Sequence, residues 1–340
     1  MVHLQFAPRN PYTKAAQNFT SRLNVQYKIQ RRQLRVTHQD EHYCNAQLKY
    51  LKERAIEDQK GCALYFCDDK AKVPFGDPEH LVSTGVRGRM SIVPTTSTLS
   101  ALDHDMTRAS LTPSVVLQCQ IPNDINNSFV RGKVTTIIND SVFQTASPFR
   151  HNATLAKLIS QQESVPSVLI KFTDGGTDQR NTLEKVRCAT ICLFREMDFD
   201  MVILGRCAPG HSYINSAERI MSILNIGLQN VALQREASSD ENEAHFRKCN
   251  SMAELRDRTK KYPELKQAWL ESVEPVQSTI RNRFLRLSLK GESFAALDPI
   301  SDQDIDIFQC QLFPDLAASL HIPGQKMSRL YMLLRTQVTI

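Results

Sequence analysis

The feature that most constrains this chain is a short, uninterrupted apolar run, Cys62-Ala63-Leu64-Tyr65-Phe66-Cys67, that stops abruptly at Asp68-Asp69-Lys70. Such a run has neither the period of a surface helix nor the alternation of a half-exposed strand. It reads as a strand buried on both faces that leaves its sheet at two carboxylates. A strand of that kind requires covering layers on either side of it.

Later segments supply the rest of a sheet and its cover. Ser114 to Ile121 (SVVLQCQI) alternates and is closed by Pro122-Asn123-Asp124, and Lys133 to Ile138 (KVTTII) is closed by Asn139-Asp140. Ala153 to Gln162 reads as a helix, and Ser167 to Thr173 (SVLIKFT) as a strand broken by Asp174-Gly175-Gly176. A helix over Asn181 to Met197 comes next, then a strand over Phe199 to Leu204 and a helix from Ser216 to Leu233. Three consecutive strands and then alternating helix and strand describe a mixed sheet covered by helices with right-handed crossovers. This is the order of RNase H-like folds, and the expectation is an α/β protein with a mixed five-stranded sheet, flanking helices, and helical N- and C-terminal appendages.

Three regions are expected: a basic helical arm over 1–59, a core over 60–235 and a helical region over 236–340, entered through the polar stretch ASSDENEAHFRKCNS. Residues 70–112, rich in Gly, Pro, Ser and Thr, exceed a hairpin loop and read as an insertion.

At 340 residues and 41% hydrophobic content the chain can bury a substantial core. Its net charge of +6 does not by itself define a partner. The distribution is more informative, because no acid precedes Asp40 while Arg9, Lys14, Arg22, Lys28, Arg31, Arg32 and Arg35 do. That arm would track phosphates, or be a basic tail with a solvated face. Nine cysteines, an odd count without CxxC pairs, and a start without an apolar signal region point to a nuclear or cytoplasmic, intracellular setting rather than secretion. No run approaches the roughly 20 apolar residues of a membrane span. GGTD lacks dinucleotide or P-loop spacing, so no small organic cofactor is expected. His38, His42 and Cys44 read as a helix face rather than half a zinc site, Cys188 and Cys192 as core thiols, and Trp269 as packing.

Three motifs carry chemistry. YFCDDK delivers an Asp from an apolar strand, IKFTDGG places one at the end of the fourth strand, and APGHSYINSAERIMS opens the last core helix with an acid. Together they resemble the DDE transposase and retroviral-integrase superfamily over approximately residues 61–235, with motifs of mariner-like type. The run from TDGG to AP-H-N-ER-IMS, with SFVRGKV and SPFRH, is similar to transposon-derived proteins of animal and fungal genomes. The resemblance implies Asp68, Asp174 and Glu218 as catalytic metal ligands, with Asp69 the alternative to Asp68, and two Mg²⁺ or Mn²⁺ ions. It implies DNA as the partner, held through backbone contacts, and a homo-oligomer. Ser216 stands where mariner-like elements carry Pro after the Asn, and no end-recognising module is evident. A domesticated or decayed protein that binds nucleic acid or protein without catalysis is therefore the alternative, and a nuclease acting on RNA or hybrid strands a third.

The bare residues leave other readings open. Asp174-Gly175 also fits a turn, and Asn215 with Glu218 fits a capping box. Which of Asp68 and Asp69 faces a site depends on pleat parity. Two carboxylates about 4 Å apart would repel by roughly 4 kcal/mol at an effective dielectric near 20, a conflict that a divalent cation resolves. Lys70, Lys72, Arg206, His211 and Arg219 would contact phosphate oxygens, or form surface salt bridges. The basic groups of RDRTKK, Arg281, Arg283 and Arg286 would add to DNA binding. Asp140 and Asp178 are expected in solvent-exposed turns.

Overall fold

A computed structural model describes Lys14 and residues 38–86, 90–100 and 109–312. Most of the expected 1–59 arm, with Arg31, Arg32 and Arg35, part of the 70–112 insertion and the end of the C-terminal region lie outside the described residues, whereas residues 41–57 of that arm form a helix whose Leu48, Leu51 and Ala55 enter the core. The chain divides into two units between Thr37 and His38, and the second of them holds the sheet and its helices.

The centre of this unit is a mixed sheet built on β1 (Cys62–Asp69). β1 pairs antiparallel with β5 (Ser110–Cys119), which pairs antiparallel with β6 (Gly132–Asp140). On its other side β1 pairs in parallel with β7 (Val168–Thr173), and β7 in parallel with β8 (Met201–Arg206). The five expected strands are present, but the sheet has seven. β2 (Val73–Pro74) joins β5, and β12 (Ala295–Leu297), from beyond the expected core, pairs in parallel with β6. Part of the 70–112 segment forms a smaller sheet, in which β3 (Leu81–Ser83) pairs with β4 (Leu99–Ser100) and β9 (Ala232–Leu233). β10 (Ser288–Leu289) and β11 (Glu292–Ser293) pair as a short hairpin ahead of β12.

Strand alternation sorts the core into two layers. Leu64, Phe66, Ile170 and Phe172 face one apolar cluster, which includes residues of α1 (Glu41–Glu57), α4 (Ser216–Leu228), α5 (Asp240–Phe246), α6 (Met252–Lys261) and α7 (Glu264–Phe284). Tyr65, Cys67 and Leu169 face the other, with α2 (Pro148–Ser160), α3 (Glu184–Met197) and α8 (Asp302–Gln309). Phe66 and Phe172 meet edge to face across the β1–β7 pair, with ring centres 5.9 Å apart.

Residues 237–312 share this core rather than forming a body of their own. From α7, Gln277 donates to the Ile138 carbonyl at 2.8 Å, and Trp269 is buried against Phe75 and Phe246. Asp140 is not an exposed turn residue but fully buried. It accepts from the backbone N–H groups of Val142 and Phe143 at 3.1 and 2.7 Å, and Trp269 Nε1 donates to it at 3.4 Å. Several of the expected DNA-binding cations are spent inside the fold. Arg256 donates to the Ser141 and Val142 carbonyls, Arg283 to the Gly227 carbonyl, and Arg281 pairs with Asp298.

β6 begins at Gly132, with φ of +123°, where an added Cβ would lie 2.1 Å from the Gln118 carbonyl oxygen. Both the dihedral and the approach exclude an L side chain. Gly132→Ala is expected to cost about 1–3 kcal/mol, read as a lower urea midpoint at unchanged slope.

Candidate functional site

Pleat parity decides between the two acids at the end of β1. Asp68 follows Leu64 and Phe66 onto the α4 face, whereas Asp69 follows Tyr65 and Cys67 onto the α2–α3 face. Asp174 lies one step beyond β7, in phase with Ile170 and Phe172, and so shares the face of Asp68. The β1–β7 register pairs Cys67 with Thr173, so extending it by one residue sets Asp68 beside Asp174.

Each acid is positioned by local structure. Asp68 is buried and accepts from the Asp69 N–H at 2.8 Å. Asp174 accepts from Gly176 N–H at 3.0 Å across Gly175, whose φ of +81° glycine adopts without a steric cost. Asn215, at the N-cap of α4, uses both ends of its amide: Oδ1 accepts from Ala217 N–H at 3.2 Å, and Nδ2 donates to the Cys67 carbonyl at 3.0 Å. The second bond pins the start of α4 to β1 next to Asp68. The backbone N–H of Asn215 that a capping-box glutamate would accept is already donated to the Ser212 carbonyl at 2.9 Å. Glu218, in the first turn of α4, instead lies within electrostatic reach of Asp68 and Lys70.

Burial, then the charges of Asp174 and Glu218, push the Asp68 carboxyl up to about 8. An acid whose folded pKa is raised holds a proton in the folded state that the unfolded chain gives up. Its contribution to stability is therefore present below the ordinary value of 3.8 and is lost as pH rises to about 8. Urea titrations without divalent cations should show that decline, and Asp68→Asn should flatten it.

The basic residues divide. Lys72 and Arg219 are exposed, and the Arg206 side chain lies beside Gly175. Lys70 donates to Asn225 Oδ1. His211, expected to contact phosphate, is instead buried, with Nδ1 3.3 Å from Glu41 Oε1 and 3.2 Å from the Tyr213 hydroxyl.

On the opposite face lies a group the sequence did not reveal. His151 Nε2, from α2, is 2.6 Å from Asp178 Oδ2 and 3.3 Å from Asp69 Oδ2. Asp178, expected in a solvent-exposed turn, is thus partly buried and engaged. Burial works against a charged imidazole, but Asp69 and Asp178 outweigh it and hold His151 up at about 9. Among the described residues this is the group of three His, Cys or acid side chains whose ligand atoms lie within 4.8 Å of one another and could hold a metal ion. Asp68, Asp174 and Glu218 are gathered without closing to that distance. His38, His42 and Cys44 form no such group either, and the Cys44 and Cys192 side chains are buried.

His151 and Asp178 escape sequence reading because they stand 27 positions apart, in segments whose own signals are a helix start and a turn. Only Ser147-Pro148, as N-cap and first helical residue, marks where His151 would sit. No helix among the described residues is long and apolar enough to cross a membrane. Comparison with protein-family models, curated proteins and solved structures returns no match.

Proposed function

We propose that this chain is a transposase-like polynucleotidyl transferase or endonuclease that attacks DNA phosphodiesters with divalent metal in an RNase H-like core. The observation carrying this reading is the meeting of Asp68, Asp174 and Glu218 on one face, at the carboxyl ends of adjacent parallel strands and the start of α4. The strand order β6-β5-β1-β7-β8, with the first three antiparallel and the last three parallel, supports the fold assignment. So do the YFCDDK, TDGG and N-x-x-E-R motifs.

The donors suit Mg²⁺ or Mn²⁺, being carboxylate oxygens without thiolate. Asp68, buried beside two other acids, keeps its proton in the absence of a cation and would yield it to one. Two ions held by Asp68, Asp174 and Glu218 would supply activation of a water or 3′-hydroxyl and stabilisation of the leaving oxygen. The chain's own part is to orient the three oxygens through the Asn215 tie to β1, the turn at Gly175 and the first turn of α4. Lys72, Arg206 and Arg219 would meet the phosphate backbone. That binding would weaken steeply with salt.

A second reading keeps the fold and nucleic-acid or protein binding without catalysis. It is favoured by Ser216 in place of the motif proline and by three carboxylates whose oxygens do not all lie within 4.8 Å of one another. The test is nicking of supercoiled DNA by the purified chain with Mg²⁺ or Mn²⁺. Cation-dependent nicking supports the enzyme, whereas salt-sensitive DNA binding without nicking supports the second reading.

A further inference from the structure

The Asp69–His151–Asp178 group is built on the sheet face opposite the Asp68 side chain and lies outside the three-acid group. Its members come from three separate segments: the end of β1, the first turns of α2 and the loop after β7. Two observations set it apart from an ordinary ion pair. The imidazole nitrogen stands between carboxylate oxygens at 2.6 and 3.3 Å, which brackets the spacing of cis ligands around an ion bound at about 2.0–2.2 Å. Second, the polar groups around it are left unsatisfied. Asp69 Oδ1 is buried without a hydrogen-bond partner. Gln179, 6% exposed, lines the same small cavity as Asp69 and His151, and its Oε1 also has no partner. A buried acceptor left unpaired costs about 1–3 kcal/mol, and here two belong to residues that line one small cavity. The buried cations Lys171 and Arg150, which line the same cavity, do not relieve them, because Lys171 donates to Asn152 Oδ1 at 2.8 Å and Arg150 to the Thr145 and Ile300 carbonyls and Asp302.

We propose that Asp69, His151 and Asp178 bind one divalent transition-metal ion of the Zn²⁺ class, with Gln179 Oε1 as a further oxygen donor. One imidazole nitrogen with carboxylate oxygens suits Zn²⁺ or Mn²⁺ and disfavours Mg²⁺, whose sites are built of oxygen. On binding, the ion takes the place of the proton on His151 Nε2, which is released to solvent. The ion clamps the end of β1 to α2 and to the loop after β7, so it holds in place the two segments that carry Asp68 and Asp174. Its role is positional, and it stands whether or not the chain cleaves DNA.

The experiment uses the full chain stripped with chelator and titrated with Zn²⁺ against a chromophoric indicator, with Co²⁺ as spectroscopic probe and Mg²⁺ as competitor. With excess Mg²⁺ present to occupy the three-acid site, one equivalent of Zn²⁺ should bind and not be displaced, and the Co²⁺ form should lack a thiolate charge-transfer band despite nine cysteines. Asp178→Asn and His151→Gln should each weaken binding by about 100-fold or more, the upper end of what losing even an outer-shell partner costs. Asp68→Asn should leave it unchanged. Should His151→Gln fail to fold, Asp178→Asn and the Zn²⁺-induced rise in melting temperature of the native chain carry the test. Unaltered affinity in the folded variants, a thiolate band, ready displacement by Mg²⁺, or no bound equivalent would each overturn the proposal.

Discussion

If the proposed reading holds, replacing Asp174 by Asn should lower divalent-dependent nicking of supercoiled DNA by about 10³-fold or more, because a charged metal ligand supplies several kcal/mol of transition-state stabilisation. The substitution is close to isosteric. It keeps the oxygen that accepts from Gly176 N–H, so the turn through Gly175 survives and the fold should melt as before. What changes is charge. Asn offers a neutral donor to a cation, and it removes the nearby carboxylate that contributes most to pushing the Asp68 proton up to about 8. The Asp68 carboxyl should therefore titrate lower in the variant, visible as a pH-dependent carboxyl resonance, while nicking falls. A drop in nicking without that change would point to damage elsewhere, and undiminished nicking would assign the activity to a contaminant.

Arg235→Ala is expected to destabilise the fold by about 3–5 kcal/mol, the range for removing one partner of a buried ion pair. Arg235 is 1% exposed and meets Glu243 through two parallel bonds of 2.6 and 2.7 Å, with a third to Asp77 at 3.0 Å. Its guanidinium also lies 5.1 Å from the ring centres of both Phe246 and Trp269, so alanine removes packing as well as charge. The cost falls mainly on Glu243, which would be left as a buried, uncompensated carboxylate. Burial alone would raise the Glu243 pKa, but Arg235 and the Ser238 N–H outweigh it and hold the carboxyl below its ordinary range. A depressed acid stabilises above its unfolded pKa and loses that contribution as pH falls through the folded one. Urea denaturation of Arg235→Ala should therefore show a lower midpoint at neutral pH and a weaker decline on acidification. Arg235→Met with Glu243→Leu should recover much of the loss, since replacing both leaves no fully buried charge without a partner, Asp77 being part exposed to solvent.

Much of the architecture was legible because it rests on local chemistry. The apolar run 62–67, the closers Pro122-Asn123-Asp124 and Asp174-Gly175-Gly176, and the Asn215 cap each signal an element that the fold contains at nearly those residues. What escaped was decided by contacts between distant segments. Ala295–Leu297 carries no strong strand signal, yet pairs with β6 because that edge was open. Asp140 has the sequence of an exposed turn, but Trp269, 129 positions away, covers it. Arg281 and Arg283 look like a nucleic-acid surface until Asp298 and the Gly227 carbonyl are placed beside them.

The acids at the strand ends show the same division. Sequence alone determined that Asp68, Asp69, Asp174 and Glu218 stand at the ends of apolar segments, because apolar runs and turn residues are read from neighbours along the chain. Only the tertiary structure decided which acids meet. One step of the pleat at Asp68-Asp69 sends the first towards Asp174 and Glu218 and the second towards His151 and Asp178. Facing direction in a strand has meaning only once both layers have packed against it, and no single-sequence signal encodes that packing.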